Sequence, residues 1–360
     1  MSMESFPVLH LKGSPREQGR AHGAELSKTI ADVREKWRAS LTTRFGVHPD
    51  TFIRDMLSET KFVDAIKRWS PSLIAEIEGI AEGSGRPLDE TVAFQCMDEE
   101  WWFGTMRYRK PAPPADRCSI IAIRGASGQA PILAQNMDLR AYYDGGQVVI
   151  DVSTDRGPRA SVMTICGMIG LCGANDRGLG VTVNTLWQLP SAADGLPVAC
   201  VMREILARGD VAEASRWIRE PRHASGQHYL IGDPNSFASF EASAASVNEV
   251  PWDSSSPSYA HTNHPLSGSN TRIRAGEENS RARYDTLCQR ITDRSMTVDE
   301  VKSALADRNG PHPIAVRPEP SDPTSPMTFA SIAMELSRPP KVEMAGGPPC
   351  SKRFERITSK

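Results

Sequence analysis

Three prolines within Lys110-Pro111-Ala112-Pro113-Pro114-Ala115-Asp116-Arg117 permit neither a continuing helix nor a central strand. An exposed connector is expected here, and the chain changes character across it. On its N-terminal side the signals are helical. Ser14-Pro15-Arg16-Glu17 combines a hydroxyl N-cap, proline at the first helical position and a glutamate three residues on, and predicts a helix to about Leu41. A second helical pattern covers about 51–69. A third starts at Ser70-Pro71, sets Ile74, Ile77, Ile80 and Ala81 on one face and stops near Gly83; a fourth runs over 88–103.

Beyond the connector the pattern is β. Strands are expected at 119–124, 132–138, 147–154, 159–166 and 178–187, separated by glycine-rich turns. Helices follow at 197–207 and 210–219. Further strands are expected at 227–231, 238–242 and 259–262, the first two joined by Asp233-Pro234-Asn235-Ser236. Two more helices, at 280–290 and from the Thr297–Glu300 box to Ala306, precede a strand pair at 328–336 and 341–344. Strands segregated from helix pairs and joined by short turns predict layered α+β with mostly antiparallel sheets.

The net charge of −2 lacks the basic excess of a nucleic-acid binder. No apolar run reaches the roughly 18 to 20 residues of a membrane span. The opening MSMESFPVLHLKG shows no secretory pattern, so a cytoplasmic location is the expectation. Seven cysteines without a C-x-x-C pair read as reduced thiols, not as a disulfide framework.

One of the seven, Cys118, opens the first strand directly after the connector. Were the Arg117–Cys118 bond cut, Cys118 would become an N-terminus. Its α-amine, with a reference pKa of roughly 7.7 to 8.0, could then serve as base for its own thiol. The competing reading is a buried strand cysteine with no chemistry.

Six blocks in order carry a resemblance. They are Val8-Leu9-His10-Leu11-Lys12-Gly13-Ser14-Pro15 with Gly19 and His22-Gly23; Glu76-Ile77-Glu78-Gly79-Ile80-Ala81-Glu82-Gly83; Asp116-Arg117-Cys118; Gln135-Asn136-Met137-Asp138; Gly167-Met168-Ile169-Gly170 with Gly178-Leu179-Gly180-Val181 and Asn184-Thr185-Leu186; and His261-Thr262-Asn263-His264. Together they resemble the acyl-coenzyme A:6-aminopenicillanic acid acyltransferase family (isopenicillin-N acyltransferase-like) of self-processing N-terminal-nucleophile cysteine enzymes. The resemblance implies a four-layer αββα sandwich, and cleavage into an α chain, 1–117, and a β chain, 118–360. It implies Cys118 as nucleophile, Asp138 as the carboxylate linked to processing and catalysis, and Asn263 as donor to the oxyanion. No cofactor or metal is implied.

Three departures stand out: Arg117 for the usual glycine at the cut, Ile120 two residues after the nucleophile for a hydroxyl residue, and Met137 for an aromatic. They weigh against a β-lactam substrate more than against the chemistry. The reading is hydrolysis of a small N-acyl amide. Its alternatives are acyl transfer from a coenzyme A thioester or amide to an amine such as a β-lactam nucleus, and an uncleaved binding module without activity. The partners expected are substrate and the two chains of one precursor, with a higher oligomer open.

Other constellations read as structural. His261 and His264 lack a third ligand for a metal. Asp98-Glu99-Glu100 beside Trp101-Trp102-Phe103 reads as a solvated helix face with a core aromatic patch, or else a pocket wall. Gly178-Leu179-Gly180 lacks the third glycine of a phosphate loop. Arg281 and Arg283 would cap or pair locally, or meet a carboxylate of the substrate.

Overall fold

A computed structural model describes residues 6–110, 117–126, 128–153, 157–267, 276–291 and 295–357. Seven helices precede the connector: α1 (Pro15–Glu25), α2 (Ser27–Phe45), α3 (Pro49–Glu59), α4 (Phe62–Trp69), α5 (Pro71–Ser84), α6 (Leu88–Gln95) and α7 (Met97–Tyr108). The Ser14 box forms as expected, its hydroxyl and Glu17 capping each other's backbone. Three helices expected as single rods are each broken, at Leu26, at Thr60-Lys61 and at Cys96. Apolar spacing carries across each break, so periodicity alone reads through it. Residues 111–116 of the connector lie outside the described residues.

α1 and α5 cross with backbones nearly touching. A Cβ on Gly79 would lie 2.1 Å from the Arg16 carbonyl oxygen, and one on Gly19 would lie 1.9 Å from that of Glu76. Only glycine fits either position.

Two sheets form the centre. The first has eight strands in the order β1-β4-β5-β6-β7-β8-β9-β10: β1 (Val8–His10), β4 (Gln147–Val152), β5 (Ala160–Ile165), β6 (Cys172–Asn175), β7 (Gly180–Thr185), β8 (Gln227–Gly232), β9 (Phe237–Ala242) and β10 (Val247–Glu249). The second has six, β11-β2-β3-β12-β13-β14: β11 (Ser258–His261), β2 (Ser119–Ile123), β3 (Ile132–Arg140), β12 (Pro326–Glu335), β13 (Lys341–Ala345) and β14 (Glu355–Ile357). Pairing is antiparallel as expected, except that β1 joins β4 in parallel.

The sheets face each other through β2, β3 and β12 against β6 and β7. α8 (Val198–Leu206) and α9 (Val211–Trp217) cover β6 to β9, while α10 (Glu278–Arg290) and α11 (Val298–Leu305) cover the second sheet. The result is the four-layer αββα arrangement. The larger core runs from Trp37 and Phe94 through Ile120, Val183 and Phe329. A smaller one joins Ile121 and Ala134 to Leu287, Val301 and Leu305. No helix among the described residues is long and apolar enough to cross a membrane.

Candidate active site

Three neighbouring strands of the second sheet end at one place. β2 pairs with β3 through Ser119↔Asn136 and with β11 through Ile120↔His261, while Asp138 of β3 pairs with Thr328 of β12. Cys118 immediately precedes β2, Asn263 follows β11 by two residues, and Asp138 lies near the end of β3. Antiparallel alternation therefore gathers residues separated by up to 145 positions at one rim of the sandwich. All three side chains are buried.

Arg283, from α10, ties the group together. Nη1 donates to the Cys118 carbonyl oxygen and to Ser119 Oγ, each at 2.8 Å, and Nη2 donates to Asn263 Oδ1 at 2.9 Å. Nε donates to Asn279 Oδ1 at 2.9 Å. The guanidinium is 1% exposed, and burial pulls its pKa down to about 10 against the attraction of Asp138.

Asn263 is held from every side. Its backbone N–H donates to Ser280 Oγ at 2.8 Å, its carbonyl accepts from Gln188 Nε2 at 2.9 Å, and its Nδ2 donates to the Thr185 carbonyl at 3.2 Å. An amide nitrogen has two hydrogens, so one remains for another acceptor.

Asp138 accepts from Thr328 Oγ1 at 2.6 Å through Oδ1, while Oδ2 is buried with no hydrogen-bond partner. Burial pushes its pKa up to about 7, although Arg283, the Thr328 hydroxyl and Arg117 all pull it down. A carboxyl poised there changes charge near neutrality. The site thus contains a thiol, a titrating carboxyl, a clamped amide donor and a buried cation.

Four other cysteines, Cys96, Cys166, Cys172 and Cys200, are buried as Cys118 is, and burial raises each of these four thiols, Cys166 to about 12. No two cysteines are joined in a disulfide.

Arg281 pairs locally with Glu277 at 2.8 Å, whereas Arg283 enters the site. The sequence showed two arginines two residues apart, which a helix sends to different faces; it gave no sign of which one turns inward. His261 and His264 do not converge on a common point. His261 contacts the Thr262 carbonyl and Glu241, while His264 Nδ1 lies 3.2 Å from Thr262 Oγ1 and 2.8 Å from Ser280 Oγ. Among the described residues no group of three or more His, Cys, Asp or Glu is arranged to hold a metal ion.

The solvated-face reading of Asp98-Glu99-Glu100 is overturned: all three are buried. Asp98 Oδ1 accepts from Thr185 Oγ1 at 2.8 Å, Glu99 Oε1 accepts from Ser225 Oγ at 2.9 Å and from the Val198 backbone at 3.1 Å, and Glu100 Oε2 accepts from Trp37 Nε1 at 2.6 Å. Long-range donors pay for this burial, and no local charge pattern announces them.

Residues 124–340 match the family described as acyl-coenzyme A:6-aminopenicillanic acid acyl-transferase, a span holding Asp138, Asn263 and Arg283 and starting just after Cys118. Among solved structures, a mutant conjugated bile acid hydrolase from Clostridium perfringens is 14% identical, covering 68% of this chain and 97% of that one at a TM-score of 0.43. Penicillin V acylase from Agrobacterium tumefaciens is 16% identical, covering 64% and 83% at a TM-score of 0.44. No curated protein sequence matches the chain. Likenesses of this depth say nothing of the substrate here.

Proposed function

Because the chain belongs to the acyl-coenzyme A:6-aminopenicillanic acid acyl-transferase family, we propose that it is a self-processing cysteine amidohydrolase acting through Cys118. The observation that carries this reading is the meeting of Cys118, Asp138 and Asn263 at adjacent strand ends, bridged by Arg283. In processing, the Cys118 sulfur attacks the Arg117 carbonyl carbon and the acyl group moves from nitrogen to sulfur. Water then cleaves the thioester, leaving a carboxylate on Arg117 and a free α-amine on Cys118.

In turnover that amine takes the thiol proton, and the sulfur adds to the substrate carbonyl. Asn263 Nδ2 donates its second hydrogen to the oxyanion. The amine product leaves with the proton, and water releases the acid from the acyl-enzyme. The family's name supports a second reading, in which an amine replaces water as acceptor and an acyl-coenzyme A thioester replaces the amide as donor.

The test is direct. Purified wild-type protein should yield a piece whose N-terminal sequence reads Cys-Ser-Ile-Ile, while Cys118→Ala stays whole. The processed protein is then screened on N-acyl amino acids, lactams and thioesters, with and without added amine. An intact wild-type chain that turns over amides at full rate would remove the N-terminal-amine mechanism.

A further inference from the structure

Asn263 owes its orientation to more than Arg283. Its Nδ2 donates to the carbonyl of Thr185, the last residue of β7. The side chain of the same threonine is held by Asp98, which accepts from Oγ1 at 2.8 Å. Asp98 Oδ1 also lies 3.5 Å from Nε2 of Gln227, the residue paired with Thr185 across the β7–β8 ladder. One carboxylate therefore holds both members of the final cross-strand pair, and that pair presents the carbonyl to Asn263.

Asp98 sits on α7, on the N-terminal side of the Arg117–Cys118 bond, whereas Thr185, Gln227 and Asn263 all lie beyond it. Of its two acidic neighbours, Glu99 meets the first residue of α8 and Ser225, whose hydroxyl accepts from Gln227 Nε2 at 3.3 Å, and Glu100 meets Trp37 and Arg44 of α2. Asp98 is the one of the three that bonds Thr185 directly.

Burying a carboxyl costs several kcal/mol unless it is well compensated, and Asp98 is compensated here by neutral donors, Thr185 and Gln227. An apolar side chain would fill such a position at less cost if packing were its whole purpose. A fixed acceptor that locks one hydroxyl has a clearer use in positioning.

We propose that Asp98 is a positioning residue for the reaction, acting through Thr185 to hold the Asn263 amide in register with the carbonyl under attack at Cys118. This rests on the reading of Cys118 and Asn263 given above. It adds that the segment before Arg117 supplies part of the catalytic alignment.

A double-mutant cycle on the full-length, processed chain tests it. Thr185→Val removes the hydroxyl and keeps both shape and carbonyl, whereas Thr185→Ser restores the hydroxyl. With the best amide substrate of the wild type, Thr185→Val should lower kcat about ten- to hundredfold with little change in KM, as misplacement of a catalytic group does. Thr185→Ser should recover most of that loss. In an Asn263→Ala background, Thr185→Val should cost less than about threefold more, because its target is already gone.

An unchanged kcat in folded Thr185→Val, or an equal loss in both backgrounds, overturns the proposal. Should Thr185→Val not fold, Asp98→Ala is read in the same cycle; failure of both to fold makes the contact structural and equally overturns it. Turnover surviving in Cys118→Ala would instead overturn the reading of the nucleophile, a separate outcome from a separate variant.

Discussion

Arg283 Nη2 donates to Asn263 Oδ1 at 2.9 Å, and this one contact decides which end of the amide faces which way. A guanidinium has only donors, so the oxygen must face it and the nitrogen must face Thr185. Arg283 sets the polarity of Asn263 as well as its place.

Replacing Arg283 by leucine should therefore hurt twice. The Cys118 carbonyl and Asn263 Oδ1 lose a buried donor, costing about 2 to 4 kcal/mol of stability. Asn263 also becomes free to flip, and kcat should fall at least about a hundredfold. Arg283→Lys keeps a charge but not the four-way fork, and should recover stability better than turnover. Urea denaturation and steady-state kinetics read the two effects apart.

Asn263→Ala should lower kcat by roughly 10² to 10³, as loss of one preorganised oxyanion donor does. Asn263→Asp should be at least as harmful, since it faces the oxyanion with acceptors alone. Near-normal turnover in both, with the chain correctly cut, would remove Asn263 from the chemistry.

Asp138 predicts a slope in stability against pH. Its pKa is about 7 in the folded chain against 3.8 for the ordinary group, so between these values the native state holds more proton than the unfolded one. Stability contributed by the neutral carboxyl is then full below about pH 4 and declines as pH rises toward 7. Asp138→Asn should flatten that part of the curve, with a gain on the order of a few kcal/mol at pH 8. Urea midpoints from pH 4 to 8 check it; an undiminished slope would mean that the slope belongs to other groups. Glu99, pushed up to about 8 by burial and by Asp98, gives a slope of the same sign that extends further upward.

His264→Gln should leave the rising limb of kcat/KM in place. Burial holds this imidazole near a pKa of about 3, so it is neutral throughout the range in which an α-amine titrates. If the limb disappears in a variant that is still cut at Cys118, an imidazole is the base and the Cys118 amine is not.

How far the sequence could be read depends on the range of the interactions involved. The strand that follows Cys118 shows in Ile120, Ile121 and Ile123 directly after a proline run, and local chemistry suffices to find it. β1, β10 and β14 span three residues each and are too short for alternation to register. They exist because a neighbour accepts them as edges. The inward turn of Arg283 and the burial of Asp98 to Glu100 depend on partners dozens of residues away, such as Trp37 for Glu100. Charge in a local window points to solvent, and only the assembled fold reverses that. The placing of Cys118, Asp138 and Asn263 as one group came from resemblance, since no spacing along the chain brings them together.

The parallel pairing of β1 with β4 makes the segment before the connector a strand of a sheet whose other members all follow it. The buried Glu76–Arg203 ion pair, at 2.8 Å, spans the same divide. A cut at Arg117 would leave these pieces interlocked, so dilution alone should not part them. Unfolding would be another matter. A chain that folds as one molecule before the cut must reassemble afterwards as an encounter between two, at a rate set by concentration. The mature protein would then carry a history its sequence does not record, and heat could erase it without return.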